Sequence, residues 1–374
     1  MRVAQLLAIG ASLRAAAAIP VAADEVNQKS AQGLHLVKLS AEEEPTWMTF
    51  DEEMELVQSN TNFMDVTHTW ERTKKLGSPK TKTFDYPEPS HQDVVEPLLS
   101  EISVENQRAD LVELTAFHNR YYETQDGVDA AKWIVDRVAA IASDAGRDDI
   151  TVTPFQHEFR QPSTIVKFAA ADPEGDLTIL GGHMDSINGS NRTLGRAPGA
   201  DDDGSGTVNL IDIIRVLAKS GYKPATPLEF MFYGGEEVGL LGSQDIASTY
   251  REEGKVVKAV LQLDMTAFPG EVPTFSLVTD NVSTPLTSFV RQLVSSYSTL
   301  STSDSRCGYA CSDHASWTAN GFPAAFPFEA QMGVVSNKYV HTATDTIDAE
   351  GFSLEHSVQF GRVGLGFAIE LTSA

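Results

Sequence analysis

Three short apolar runs, "DLTILGGHMDS", "PLEFMFYGGEE" and "KVVKAVLQLDM", each end on side chains that bind cations: His183 and Asp185, Glu236 and Glu237, and Asp264. Runs this short, rich in aliphatic and aromatic residues and bounded by Gly or acid, read as buried strands. Helical patterns lie between them. "VDAAKWIVDRVAAIASDAG" puts Ala131, Ile134, Val138 and Ile141 on one face and stops at Gly146; "GTVNLIDIIRVLAKSG" repeats the pattern with Leu210, Ile213, Ile214 and Leu217 and ends at Gly221. Buried strands alternating with helices require an α/β fold, with a central mixed, mainly parallel β-sheet and helices on both faces. Ligands of such sheets bind beyond the carboxyl ends of the strands, so the fold gathers these acids and His183 on one rim.

The turn "APGADDDGSG" adds Asp201, Asp202 and Asp203 to that rim, just before a helix. Three adjacent carboxylates cost little on a solvated turn, but if buried they need a cation. A lone His-x-Asp, a Glu-Glu pair after glycines or an Asp at a strand end is, as a rule, a core histidine, a solvated turn or a cap. Their coincidence at corresponding places in one sheet is what a metal centre explains. Two dications balanced by three carboxylates and a bridging hydroxide fit the acid count, and mixed imidazole and carboxylate donors favour zinc. Neighbours in an extended segment face opposite ways. Either Asp202 therefore turns to the metals and Asp201 and Asp203 turn away, or the reverse; likewise one of Glu236 and Glu237 ligates while the other serves as base.

A net charge of -24 excludes the basic surfaces that nucleic acids and anionic membranes require. "MRVAQLLAIGASLRAAAAIPVAA" follows the secretory pattern, and no later segment is expected to span a membrane. The expected organisation is a signal peptide at 1–18, a pro-segment at 19–84 and a catalytic domain at 85–374 of a secreted protein. The pro-segment reads as polar and weakly periodic, with the basic junction Lys74-Lys75 open to processing. Sequons at Asn188, Asn191 and Asn281 agree with export. The two cysteines, Cys307 and Cys311 in "CGYAC", suit a disulfide in an oxidising compartment.

From about residue 85 onward, "GGHMDS", "APGADDDGSG", "FYGGEEVGLLGS", "QLDMT", "CGYACSDHASW", "FPFE" and "VHTATDT", in that order, resemble the secreted di-zinc leucyl aminopeptidases of bacteria and fungi. The resemblance implies a zinc-dependent exopeptidase fold holding two zinc ions. One takes His183, Asp202 and Asp264; the other takes Asp202, Glu237 and His341, with Asp202 bridging. It implies Glu236 as general base, Asp185 as the partner orienting His183, Tyr309 as an oxyanion-stabilising hydroxyl, and a Cys307–Cys311 bridge beside a pocket lined by Met265 and Phe328. Met332 and Val335 stand where that family carries aromatic residues. The implied substrates are peptides with a free N-terminus, preferably leucine or another hydrophobic residue, and the enzyme is expected to act as a monomer. Two rivals share the scaffold: a single-zinc glutaminyl cyclase, whose motifs diverge around the Asp triplet, and a silent binding domain, which would have lost ligands. A serine hydrolase is excluded by the absence of G-x-S-x-G.

Overall fold

Each of the three apolar runs is a central strand that stops where the ligand-type side chains begin. The computed structural model describes residues 23–332 and 337–374, so the signal peptide expected at 1–18, and Val335, lie outside the described residues. In chain order the strands are β1 (Leu34–Lys38), β2 (Thr46–Thr49), β3 (Met64–Asp65), β4 (Ile150–Phe155), β5 (Ser163–Phe168), β6 (Leu177–His183), β7 (Leu228–Tyr233), β8 (Val257–Gln262), β9 (Thr274–Val278), β10 (Ser301–Ser305), β11 (Ala324–Ala325) and β12 (Pro327–Phe328). The main sheet has six strands in the order β11-β8-β6-β7-β5-β4. Pairing is parallel from β11 through β8 and β6 to β7, and antiparallel across β7, β5 and β4, so the sheet is mixed and mainly parallel, as expected.

Alternation along these strands sends side chains into two cores. Leu180, Phe230, Phe232 and Leu261 pack with helices Gln125–Asp144, Gly204–Ser220 and Leu354–Thr372 on one face. Ile179, Met231, Tyr233 and Val260 pack with helices Leu241–Glu252 and His314–Ala319 on the other. Burying each large side chain contributes roughly 1.5–3 kcal/mol. Both faces are covered, which is why these strands read as unbroken apolar runs.

Helix Gly204–Ser220 has more than the one inward face the sequence suggests: Thr207, Asn209, Asp212 and Arg215 are buried too. Helices Val104–Leu114 and Leu354–Thr372 close over its polar side, where Asn209 donates to Ser205 O, Thr266 Oγ1 and Ser357 Oγ. Its start is capped by Asp203, which accepts from Gly206 N–H, and it stops at Gly221 in the left-handed conformation.

The stretch read as weakly periodic is folded over much of its described length. An antiparallel sheet in the order β2-β1-β3 is joined by helix Phe50–Gln58, which starts in a capping box of Thr49 and Glu52, and by helix Trp70–Leu76. Its apolar residues are spread over short elements and are buried against the body: Val37, Met54, Val57 and Phe63 meet Tyr121, Tyr122, Ile187 and Leu241. No single element is long enough to display a period. Residues 77–91, without helix or strand, lead on to the body. A second small sheet, β10-β9-β12, lies beside the main one.

Candidate metal centre

His183 closes β6 on backbone packed too tightly for side chains: a Cβ on Gly182 would lie 2.7 Å from the Leu263 carbonyl oxygen. That approach brings the loop after β8 against the end of β6, and Asp264 with it. His183 Nε2 stands 3.1 Å from Asp202 Oδ1 and 3.5 Å from Asp264 Oδ1. Asp202 Oδ2 stands 3.2 Å from His341 Nε2, which is itself 2.8 Å from Glu237 Oε2. Asp202 therefore lies between two clusters of one imidazole and two carboxylates, with one oxygen toward each imidazole.

The outer two aspartates hold the scaffold. Asp203 comes within reach of His183 and Asp264, but its Oδ1 accepts from Gly206 N–H and Met265 N–H and its Oδ2 from His183 N–H. Asp201, which the sequence left without a task, accepts from Ala267 N–H, Ser205 Oγ and Asn337 Nδ2. Thr266 N–H goes to Ser205 Oγ. The turn thus pins residues 265–267 through three successive backbone amides. Met265 and His341 both hold positive φ, 54° and 57°, a conformation costly for non-glycine residues and found where surrounding contacts impose it.

Asp185 faces His183 Nδ1 at 3.4 Å, and its two oxygens accept the N–H groups of Glu236 and Glu237 at 3.0 and 3.2 Å. It therefore joins the imidazole to the acidic turn. Glu236 reaches into the cleft with its Oε2 4.0 Å from His183 Nε2.

Electrostatics mark the site as short of positive charge. Burial disfavours a charged His183, yet Glu236, Asp264, Asp185 and Asp202 raise its pKa well above 6.5. His341 is raised in the same way, by Glu237 and Asp202 against burial. Burial would raise Asp202, but the two imidazoles hold it below the usual carboxylate range. Burial pushes Glu237 up to about 7 and Glu236 well above 4.5. Asp264 Oδ1 is buried with no hydrogen-bond partner within the described structure. Orphaned acceptors, imidazoles drawn toward positive charge and mixed N and O donors all fit zinc.

Several contributors had weak or no sequence signal. Arg120 is fully buried and donates to Met184 O, Pro198 O and Gly199 O, so it braces the Asp turn and places a cation behind it. No local pattern announces it. Asp345 accepts from the backbone N–H groups of Asp201 and Asp202, and Ser312 donates to Asp264 Oδ2; both lie in strings already singled out.

The remaining predicted residues distribute unevenly. Met265 lines the cleft, as does Cys311 of the Cys307–Cys311 disulfide. Phe328 is half-buried on β12 and is not among the residues lining that cleft. The Tyr309 hydroxyl donates to Met64 Sδ at 3.1 Å, in an apolar group with Leu36, Val66 and Leu240. Met332 is half-buried and donates its N–H to Ser305 Oγ. Of the sequon asparagines, Asn191 is exposed, while Asn188 and Asn281 donate to Arg196 O and Gly308 O.

The profile of peptidase family M28 matches residues 163–363, which span β5 to the C-terminal helix. Leucine aminopeptidase 1 of Arthroderma otae is 38% identical, covering 99% of this chain and 100% of the relative. Leucine aminopeptidase 1 of Coccidioides posadasii is 37% identical with 100% of both covered. The crystal structure of the LapA aminopeptidase of Legionella pneumophila superposes with a TM-score of 0.80 at 30% identity, covering 91% of this chain and 94% of that one. With two clusters of imidazole and carboxylate donors at the rim of the sheet and full-length likeness to these proteins, the chain belongs to peptidase family M28.

Proposed function

We propose that this zinc aminopeptidase is a secreted enzyme that removes N-terminal leucine and other hydrophobic residues from peptides, using two zinc ions and Glu236 as general base. The observation that carries the reading is Asp202, whose two oxygens stand 3.1 and 3.2 Å from the imidazoles of His183 and His341. His183, Asp202 and Asp264 would hold one ion, and Asp202, Glu237 and His341 the other. When bound, the metal supplies Lewis acidity for the scissile carbonyl, for the attacking water and for anchoring the α-amine.

The chain's own residues supply the rest. Glu236, whose carboxylate lies in the cleft and is raised well above 4.5 by burial, takes the proton from water and returns it to the leaving nitrogen. Asp185 sets the backbone of Glu236 and Glu237 relative to His183. Met265 and the Cys307–Cys311 bridge offer an apolar wall to the substrate side chain.

The N-terminal unit acts as a removable cover within a pro-segment at 19–84. Val57, Asn60, Thr61, Asn62 and Phe63 line the same cleft as Asp202, Glu236, Glu237, Asp264 and His341. Asn62 Nδ2 donates to Cys307 O, Gln58 Nε2 to Gly189 O, and Asp65 N–H to Gly239 O. Met64 occupies the Tyr309 hydroxyl, which becomes available to substrate once the cover leaves. Lys74 and Lys75, exposed in the last turn of helix Trp70–Leu76, are the place of entry for a processing protease.

Leucyl-p-nitroanilide hydrolysis tests the reading. The processed chain should be active, lose activity to a chelator and regain it with zinc, and the uncleaved chain should be slower. Equal rates for the two forms would remove the covering role. An inactive processed chain that still binds two zincs would remove the proposed substrate class.

A further inference from the structure

The N-terminal unit carries a second group of metal-type donors that the chemistry above does not use. His35 on β1 faces two carboxylates from different elements: its Nδ1 is 2.8 Å from Asp65 Oδ2 at the end of β3 and 3.1 Å from Glu53 Oε2 in helix Phe50–Gln58. The donor set, one imidazole and two carboxylates, is that of each catalytic cluster. The spacing also matches, since there the imidazole-to-carboxylate distances run from 2.8 to 3.5 Å.

Charge and hydrogen bonding both point to a cation. Glu53 is fully buried and Asp65 nearly so. Asp65 Oδ1 is satisfied by Thr67 N–H and Thr67 Oγ1, which leaves Oδ2 for His35. Glu53 Oε1 has no hydrogen-bond partner within the described structure. A single Nδ1–H cannot serve two carboxylates: burial opposes a charged His35, Asp65 and Glu53 nonetheless raise it to about 10, and its one positive charge cannot balance two ionised buried carboxylates, so without a cation one of them has to stay protonated. A divalent ion on neutral His35 brings the group to zero, and the partial exposure of His35 leaves room for a water to complete four-coordination. Burial also pushes Glu53 up to about 7, the behaviour of a carboxylate short of positive charge.

We propose that His35, Glu53 and Asp65 form a further divalent-cation site, zinc by its donors, within the N-terminal unit. Its position gives it a task. Glu53 and Asp65 stand at the two ends of the stretch whose residues Val57 and Asn60 to Phe63 line the catalytic cleft, and Asp65 N–H bonds to Gly239 O beside Glu236 and Glu237. A cation joining the two carboxylates ties that loop shut and holds it against the acidic turn. The site itself stands independently of any activity; only this consequence rests on the covering role proposed above.

Native mass spectrometry of the uncleaved chain after zinc loading and desalting tests the assignment. Wild type should retain one zinc more than Glu53→Gln, a change that keeps the side-chain shape, and one more than the chain after removal of the N-terminal unit. The difference of one holds whatever the catalytic clusters retain, so a wrong count there does not obscure it. His35→Gln is the second variant, in case Glu53→Gln does not fold. Zinc should also raise the thermal midpoint of the uncleaved wild type above that of the variant. Equal zinc counts in wild type and both variants would overturn the site and leave His35 as an ion-pair partner alone.

Discussion

Glu236 and Glu237 are adjacent in sequence, and their surroundings differ. Glu237 Oε2 is committed to His341 at 2.8 Å, whereas Glu236 keeps its carboxylate in the cleft with its backbone held by Asp185. Glu236→Gln should lower kcat by about 10²- to 10⁴-fold, the range for loss of a general base, with zinc content unchanged by atomic absorption. Zinc lost in parallel would instead make Glu236 a ligand. Asp185→Asn offers only one acceptor oxygen to the two N–H groups it now holds and weakens its hold on His183. Zinc affinity measured by chelator competition should drop about 10- to 100-fold, as for other residues that orient a ligand; unchanged affinity would mean that His183 is positioned by its strand alone. At this scale the donor side chains were legible. The work of Asp201 was not, because Ala267 and Asn337 reach it only through the fold.

The turn that carries the two glutamates hangs from β7, and its root is tied to β5. Gly234 N–H donates to Ser163 Oγ at 3.0 Å, and the same hydroxyl meets His157 Nε2 at 2.7 Å, with His157 Nδ1 on Asp245 at 2.8 Å. Ser163 is fully buried, so this chain positions the turn. Ser163→Ala leaves a buried amide and an imidazole nitrogen unpaired, at about 1–3 kcal/mol. Calorimetry should record a thermal midpoint lower by several degrees; an unchanged midpoint would mean that water takes the place of the hydroxyl. Among the elements, β6, β7 and β8 were readable because both faces of each are buried. β10, with its polar sequence "STSDS", and the two-residue strands β11 and β12 carry too few apolar residues to announce themselves.

Across the whole molecule, the N-terminal unit is docked partly by charge. Arg72 donates to Asp245 at 2.7 Å, and His68 meets Glu158 at 2.7 Å. Burial alone would raise Asp245, but hydrogen bonds from His157 and Arg72 hold it below its ordinary 3.8. An acid depressed on folding contributes stability above its unfolded value and loses it as pH falls through its folded one. The gap in urea midpoint between wild type and Asp245→Asn in the uncleaved chain should therefore be open at pH 7 and close as pH falls below 3.8. A gap already closed at pH 5 would place the stabilising charge elsewhere.

The sequence by itself determined the α/β class, the central strands and the donor types at their ends, because burial on both faces and the strand-end position of polar residues are written in local order. The tertiary structure alone decided which aspartate of the triplet stands between the two imidazoles, that Arg120 stands behind the turn, and that a stretch read as weakly periodic lines the cleft. Those outcomes depend on contacts between residues far apart in the chain, such as Gly182 with Leu263 and Met64 with Tyr309, whose energies appear only when the elements have packed.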